Sequence, residues 1–254
     1  MALLQIRDLG ADAEYAATTA LQEDLLAARA AGRIADTLLL LEHRRVFTLG
    51  RSADCRHVLW SEAERSRRGI ACAETTRGGD VTYHGPGQLV GYPIVHLGEA
   101  GLRLLDYVRG LEGVLLRALA AFGIAGRRDP RNRGVWVGND KIASLGIRVS
   151  RQVAMHGFAL NVSPRLADFR GIVACGLSDA GVTSMRCLLG RAPAMADVKA
   201  AVARAFAAEF GYALAAPVGS PPLAAELAAA VAASGDRALA VIPEGPYVIP
   251  VFPG

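Results

Sequence analysis

Two stretches of the chain repeat apolar residues three and four positions apart, which is the spacing of one face of an α-helix. The first covers residues 104–122 and is followed by Gly123, a helix stop signal. The second covers residues 195–210, with apolar residues spaced by four. A further helix is predicted from Asp12, whose side chain can cap it, to Gly32. The pattern therefore predicts three main helices.

Shorter apolar runs between these helices predict β-strands. Residues 37–41 form an apolar run typical of a buried strand, and residues 70–74 predict another. Residues 134–137 and 141–149 flank a Gly-Asn-Asp turn and predict a hairpin, to which residues 153–162 add a further strand. Helices that alternate with antiparallel hairpins indicate an α+β fold rather than a doubly wound parallel sheet.

The composition agrees with one globular domain. Of the 254 residues 52% are hydrophobic and 20% are charged, and the mean hydropathy is +0.28, so the chain can bury a core. The apolar runs are far shorter than the ~20 residues of a membrane helix. The first residues lack the layout of a signal peptide. We therefore expect a soluble cytoplasmic protein without a membrane partner.

The net charge of +4 and the pI of about 9.1 suit acidic partners. Because no basic run is interleaved with aromatic residues, we expect no nucleic-acid binding. The densest basic cluster, Arg127, Arg128, Arg131 and Arg133, is interpreted as a solvated loop in preference to a docking loop. Among the 28 basic residues only Lys141 and Lys199 are lysines.

The 4 cysteines occur without any CxxC pair, so we predict free thiols and no metal site. A nearby ammonium stabilises a thiolate, which is the form that attacks a thioester. Cys175, beside Gly176, and Lys141, after a tight turn, are candidates for such a pair. On local sequence alone, Cys175 is equally explained as a small buried residue and Lys141 as a strand-edge residue.

Residues 77–88 combine glycines with Arg77, Tyr83, His84 and Gln88. Glycines let a ligand approach the backbone closely and leave amides free to donate, while Arg77 could bind an anionic or carbonyl group. The spacing fits neither a phosphate loop nor a dinucleotide fingerprint. Composition alone leaves open whether this loop binds a ligand or is a tight turn.

Four motifs follow one another along the chain. They are RGGDVTYHGPGQLVGYP at residues 77–93, KIASLGIR at 141–148, HGFALNV at 156–162 and CGLSDAGVTS at 175–184, with a weaker FTLGRSAD at 47–54. Together they resemble the octanoyltransferases of lipoate biosynthesis over residues 1–212. The resemblance implies a single catalytic domain with the fold of biotin and lipoate protein ligases, in which a mixed, largely antiparallel sheet is flanked by helices.

The resemblance also implies the residues of the site. A Cys/Lys dyad falls on Cys175 and Lys141. The acyl-binding residues are Arg77, Gly78, Gly79, Asp80, Val81, Thr82, Tyr83, His84, Ser144, Leu145, Gly146, Gly157, Phe158 and Ala159. Of these, Val81, Leu145 and Phe158 are expected to line an apolar channel. Relatives commonly have proline before the cysteine, where this chain has Ala174.

By the same resemblance, we expect transfer of an octanoyl group from octanoyl-acyl carrier protein to a lysine of apo lipoyl domains. These acceptors are the glycine cleavage H protein and the E2 subunits of 2-oxoacid dehydrogenases. We expect a monomer that needs no cofactor. The alternatives are an ATP-dependent lipoate or biotin ligase, a lipoyl amidotransferase, and a non-enzymatic module that docks lipoyl domains. Residues 213–254 are predicted to be a peripheral or partly flexible Ala/Pro-rich extension with a short helix at 223–233.

Overall fold

The computed structural model describes residues 2–174 and 180–214. Within these ranges, strands and helices alternate along the chain. The strands are β1 Leu3–Ala13, β2 Thr37–His43, β3 Val46–Leu49, β4 Ala71–Glu74, β5 Val81–His84, β6 Gln88–His96, β7 Gly134–Val137, β8 Asp140–Ser150, β9 Val153–Asn161, β10 Gly181–Val182 and β11 Ala213–Leu214. The helices are α1 Tyr15–Ala30, α2 Glu62–Arg67, α3 Leu104–Ala120, α4 Met185–Leu189 and α5 Met195–Phe210.

Most strands belong to one mixed sheet with the order β10, β8, β9, β6, β2, β1, β11, and β7 also pairs with β8. Its centre is antiparallel, because each of β8, β9, β6 and β2 runs against the next. Parallel pairs lie toward both edges, where β1 is beside β2 and β11 and β10 is beside β8. The predicted α+β class and the mixed, largely antiparallel sheet flanked by helices are confirmed.

The main sheet is covered by helices on both faces. On one face Leu38 and Leu40 of β2 pack in the same core as α3 and α5, whereas Leu39 and Leu41 pack with α1 on the other. Because both faces of β2 are buried, its sequence is a continuous apolar run instead of an alternating one. Truncating one of these leucines to alanine costs about 2–5 kcal/mol of stability in such a core.

A smaller sheet has the strand order β4, β3, β5 and an apolar cluster of its own. The buried cluster residues are Phe47, Ile70, Val81, Tyr83, Phe169 and Ile172. The buried Asp168 carboxylate accepts hydrogen bonds from the Tyr83 hydroxyl at 3.0 Å and from the Arg45 guanidinium at 2.8 Å. Asp168 lies in the 3-10 helix Leu166–Gly171, so these bonds hold that turn, and the chain that leaves it, against the small sheet.

The predicted α3, α5, β2, β9 and β7–β8 hairpin are confirmed, but two local predictions are wrong. Asp12 does not cap α1; it lies in β1 with a φ of 66°. The cap is Glu14, whose carboxylate accepts from the backbone N–H groups of Ala16 and Ala17. Residues 81–84 are strand β5 and not loop, because antiparallel pairing with β3 supplies their backbone hydrogen bonds.

Some predicted features lie outside the described residues. They are Cys175 and most of the C-terminal extension, including its short helix at 223–233. The first two residues of that extension, Ala213 and Leu214, form β11 beside β1. No helix in the described part of the chain combines the length and apolar character that crossing a membrane requires.

Candidate active site

A pocket brings together the three segments that the sequence motifs single out. Its walls are Arg77, Gly79, Asp80, Val81, Thr82 and His84, then Ser144, Leu145 and Gly146 of β8, then Gly157, Phe158 and Ala159 of β9, with Tyr15, Tyr92, Asn132 and His156. Two predicted residues do not line it. Tyr83 is buried in the apolar cluster of the small sheet. Gly78 instead donates from its N–H to the Ile147 carbonyl at 3.1 Å and so fixes the loop against β8.

The antiparallel pairing of β8 with β9 sets the spacing of the pocket wall. Leu145 pairs with Phe158, and Gly146 pairs with Gly157. Both apolar side chains line the pocket together with Val81 of β5. A Cβ on Gly146 would lie 2.9 Å from the Gly78 carbonyl oxygen. Glycine is required there because the loop packs directly on the backbone of β8.

The side chain of Arg77 is buried and bonded to oxygens of the protein. Its Nη2 donates to the carbonyl and the hydroxyl of Thr48 at 2.6 and 2.9 Å, and its Nη1 donates to the Gly78 carbonyl at 3.1 Å. Thr48 belongs to β3. The guanidinium therefore ties residues 77–80, the glycine-rich loop that precedes β5, to the small sheet and shapes the pocket that this loop lines.

Part of the pocket wall consists of aromatic rings and histidines joined by hydrogen bonds. The Tyr15 hydroxyl donates to Thr75 Oγ1 at 3.0 Å. Behind this wall, Nε2 of His43 lies 2.8 Å from the Tyr92 hydroxyl. The rings of Tyr15 and His84 are stacked, with centroids 6.1 Å apart.

The histidines of this group are uncharged at neutral pH. Burial lowers the pKa of His43 to about 4 and the pKa values of His84 and His156 to about 3. His156 also has a φ of 58°, a strained conformation for a side chain of this size, and its N–H donates to the buried Gln22 side chain at 2.8 Å. A wall of neutral rings can contact an acyl chain without the cost of desolvating a charge.

Lys141 is buried, with 6% of its surface exposed, which excludes an exposed strand-edge role. Its Nζ donates to Asn132 Oδ1 at 2.7 Å and lies 5.4 Å from the centre of the Trp136 ring. Gly134 leaves room for the side chain, because a Cβ there would lie 2.6 Å from Lys141 Cε. Asn132 also lines the pocket, but its place in a basic segment that resembles a solvated loop gives no sequence signal for this role.

A small cavity beside Lys141 reaches the chain on either side of Cys175. Its walls are Trp136, Lys141, Ser144, Asn161, Phe169, Ala174, Ala180, Gly181 and Val182. Ala174 and Ala180 are the described residues that flank the segment containing Cys175. Ser144 lines both this cavity and the larger pocket. Cys175 itself lies outside the described residues, so the dyad stays a prediction.

A chain of hydrogen bonds connects the pocket to the strand of Lys141. Nδ1 of His84 lies 2.8 Å from Gln88 Oε1, and Gln88 Nε2 donates to Asn161 Oδ1 at 2.9 Å. Asn161 Nδ2 donates to the Thr183 carbonyl at 3.0 Å. The Thr183 N–H donates to the Lys141 carbonyl at 3.0 Å. These bonds fix β10, and with it the chain that follows the Cys175 segment, against β8.

The chain that leads to Cys175 is supported by the same loop that supports the pocket. Nδ1 of His57 lies 2.5 Å from Asp80 Oδ2, and Asp80 is a pocket residue. The carbonyl of His57 accepts from the N–H of Val173 at 2.8 Å. His57 therefore links the glycine-rich loop to the segment that ends at Ala174.

The cysteines among the described residues lie away from the pocket. Cys55, Cys72 and Cys187 are free and exposed, and none of them lines the pocket or the Lys141 cavity. Burial raises the pKa of the Cys72 thiol, which disfavours a reactive thiolate. In the described ranges, no group of three or more His, Cys, Asp or Glu side chains is arranged to hold a metal ion.

Comparison with known proteins decides the family. Residues 14–207 match the family model of the lipoyl protein ligase A/B catalytic domain. The chain is 48% identical over 203 residues to an octanoyltransferase of Geobacter metallireducens, which covers 80% of this chain and 92% of that protein. The chain belongs to the octanoyltransferase family. An octanoyltransferase of Alkaliphilus metalliredigens is 49% identical over 178 residues, or 70% of this chain and 82% of that protein.

Membership of the octanoyltransferase family makes this chain an acyltransferase of protein lipoylation. Its fold is similar to that of a crystal structure of lipoate-protein ligase A bound with ATP. The TM-score is 0.65 over 93% of this chain and 94% of that chain, at 13% sequence identity. At that identity the likeness concerns the fold alone, and it confirms the lipoate protein ligase fold that the motifs imply.

Proposed function

We propose that this chain transfers an octanoyl group from octanoyl-acyl carrier protein to a lysine ε-amine of apo lipoyl domains, through a thioester on Cys175. The acceptors are the glycine cleavage H protein and the E2 subunits of 2-oxoacid dehydrogenases, and the chain acts as a cytoplasmic monomer. The observation that carries the covalent route is that buried Lys141 shares a cavity with Ala174, the neighbour of Cys175 in the chain.

In the first half-reaction, the Cys175 thiolate attacks the carbonyl carbon of the donor thioester. The carbon–sulfur bond to the carrier then breaks, and the leaving thiolate takes a proton from the Lys141 ammonium. The products are an octanoyl thioester on Cys175 and a carrier thiol. Asn132 Oδ1 accepts from Lys141 Nζ at 2.7 Å and so orients the amine that gives up the proton.

In the second half-reaction, the acceptor lysine amine attacks the carbonyl carbon of the Cys175 thioester. The attacking nitrogen loses a proton to the Lys141 amine, and the Cys175 thiolate leaves as the amide forms. Lys141 is restored as the ammonium, so the cycle closes without ATP. A positioned acid–base group of this kind contributes about 10²–10⁴-fold to the rate.

The pocket holds the acyl chain during both steps. Val81, Leu145 and Phe158 contribute its apolar surface, and the neutral histidines add no charge. Ser144 lines both the pocket and the Lys141 cavity, so an acyl chain seated in the pocket has its carbonyl end at the cavity. The backbone N–H groups of the glycine-rich segments are the donors available to the tetrahedral oxyanion.

The test is to incubate the protein with octanoyl-acyl carrier protein and measure its intact mass. We expect one octanoyl adduct, released by hydroxylamine and passed on to an apo lipoyl domain. Cys175→Ala should form no adduct, whereas Cys187→Ala, which removes an exposed thiol, should form it normally. The covalent route is wrong if Cys175→Ala carries the same labile adduct.

The same assay separates the alternatives. A lipoate or biotin ligase would modify the lipoyl domain from free acid only when ATP is added. A lipoyl amidotransferase would prefer an acylated protein domain over the acyl carrier protein as donor. A docking module would bind the lipoyl domain without turnover.

A further inference from the structure

Three arginines on segments next to the Lys141 cavity have no acidic partner among the described residues. Arg133, Arg170 and Arg186 are all exposed. Among the described residues, none of them forms an ion pair or a side-chain hydrogen bond. Their guanidinium groups are therefore open to a ligand from outside the molecule.

Each of these arginines lies on a segment that builds the cavity. Arg133 directly follows Asn132, the hydrogen-bond partner of Lys141. Arg170 follows Phe169, a cavity residue, and itself lines an adjoining groove. Arg186 belongs to α4, which begins shortly after β10. β10 is the strand that pairs with β8 at Lys141. Three separate segments that build or adjoin the cavity thus each carry an exposed arginine without a partner among the described residues, and Arg170 also lines the groove.

The arginines of residues 127–131, the densest basic cluster in the sequence, contrast with this arrangement. Arg127 and Arg131 pair with Asp129 at 2.7 and 2.9 Å. Arg128 pairs with Glu112 at 3.1 Å. The charge of these three arginines is largely neutralised within the chain, so they offer little to a charged partner.

We propose that Arg133, Arg170 and Arg186 form the docking rim for the acyl carrier protein that donates the octanoyl group. The inference rests on the proposed function. An acidic carrier protein presents carboxylates, which arginine binds through two parallel hydrogen bonds, and complementary charge also accelerates encounter. The groove beside the rim has a volume of about 560 Å³.

The lining of this groove suits the arm that bears the thioester. It is mainly apolar, with Leu59, Phe169, Ile172 and Val182 among its residues. It also includes Ala174 and Ala180, which flank the Cys175 segment. A carrier seated on the rim could therefore extend its arm along the groove to the cavity of Lys141.

The test compares charge reversal on the rim with charge reversal at a matched site. The rim variant is Arg133→Glu/Arg186→Glu, which keeps Arg170 because that residue also lines the groove for the arm. The control is Arg151→Glu, because Arg151 is also exposed and free of partners among the described residues. Arg151 directly follows the end of β8, on which Lys141 lies near the start, and the separation along the strand is about 33 Å at 3.3 Å per residue.

We expect the rim variant to raise KM for octanoyl-acyl carrier protein about tenfold or more, and to weaken the dependence of KM on salt. Its kcat, and its KM for the small donor octanoyl-pantetheine, should stay within twofold of the unmodified chain. The control should change neither KM. Circular dichroism and the unfolding midpoint check that each variant is folded.

Three results would overturn the docking rim. The first is an equal KM for octanoyl-acyl carrier protein in the rim and control variants. The second is a rise in KM for octanoyl-pantetheine as large as that for the carrier, which would indicate damage to the pocket. The third is a rise in KM for the lipoyl domain alone, which would assign the rim to the acceptor. Failure of the proposed function is distinguishable, because then neither donor acylates the unmodified chain.

Discussion

The two sheets hold their parts of the site by different means. The main sheet carries Lys141 on β8. Helices pack on both faces of this sheet and bury it through many apolar contacts. The small sheet carries the glycine-rich loop, and its smaller apolar cluster is supplemented by individual polar anchors. Asp168 bonds to Arg45 and Tyr83, and Arg77 bonds to β3. Apolar packing is spread over many side chains, whereas a polar anchor is lost with one substitution.

The largest effect is expected at the acid–base group of the main sheet. Lys141→Arg keeps the positive charge but cannot shuttle protons at neutral pH, so octanoyl transfer should fall by about 10²–10⁴-fold. The matched control is Lys199→Arg, at a lysine on α5 whose Nζ pairs with Asp8 at 2.6 Å. It should keep the full transfer rate. A Lys141→Arg variant that is folded and fully active would contradict the acid–base role.

The second largest effect is expected at Asp168, the polar anchor of the small sheet. Asp168→Asn removes the carboxylate that Arg45 and Tyr83 share, and should lower the free energy of unfolding by about 3 kcal/mol. Urea unfolding measures this. Glu64→Gln breaks the partly exposed ion pairs of Glu64 with Arg67 and Arg68 on α2 and should have a smaller effect. Equal effects of the two substitutions would show that the buried anchor is not what holds the small sheet.

Acid pH should weaken the boundary between the sheets, where His43 of β2 and His84 of β5 meet. In the unfolded chain, histidine titrates near pH ~6.5. In the folded chain, burial lowers the pKa of His43 to about 4 and that of His84 to about 3. The unfolded state therefore binds more protons below pH ~6.5, and stability present above that pH is lost as the pH falls.

Urea unfolding between pH 7.5 and 5 measures this dependence. We expect the free energy of unfolding to decrease by an amount on the order of a few kcal/mol. His43→Gln should flatten the profile because it removes one of the groups that must stay neutral. If the free energy of unfolding falls equally steeply with pH in the unmodified chain and in His43→Gln, then His43 does not cause the loss of stability.

The smallest effect is expected at Gly146, where the glycine-rich loop contacts β8 of the main sheet. Gly146→Ala places a Cβ 2.9 Å from the Gly78 carbonyl and 3.0 Å from Arg77 Cδ, so the loop must move away from β8. We expect KM for the octanoyl donor to rise about tenfold, which corresponds to about 1.4 kcal/mol. Val149→Ala, at an exposed site further along β8, should leave KM unchanged. An unchanged KM in Gly146→Ala would show that the loop tolerates displacement.

Elements with strong periodicity could be predicted from the sequence, and those formed by long-range pairing could not. The helices at 104–120 and 195–210 follow from apolar residues spaced by three and four. β1 has no clear sequence signal, because its burial alternates irregularly and its hydrogen bonds come from parallel pairing with β2. The glycines around β5 indicate a loop, because the partner that makes it a strand, β3, lies far away in the chain.

The candidate site was predictable only where its residues share a motif. The motifs locate the three pocket segments and Lys141, all of which the structure brings to the pocket or its adjoining cavity. Asn132, Tyr15 and His43 come from separate elements, and no spacing in the sequence relates them. Tyr92 stands in the motif at 77–93, but its hydrogen bond with His43 of β2 is visible only in the structure. His156 stands in a quoted motif, but its neighbours do not reveal that it is buried and neutral.

The sequence alone was sufficient to identify the family, the three main helices, several of the strands, and the residue types available for acyl transfer. These follow from local periodicity and from motifs that are contiguous in the chain. Only the tertiary structure decided the electrostatics. It places Lys141 against Asn132 and Trp136, keeps the pocket histidines neutral, and pairs Arg127 with Asp129 while Arg133 has no partner among the described residues. Burial and charge pairing depend on neighbours that are distant in sequence, because a charge responds to what surrounds it in space.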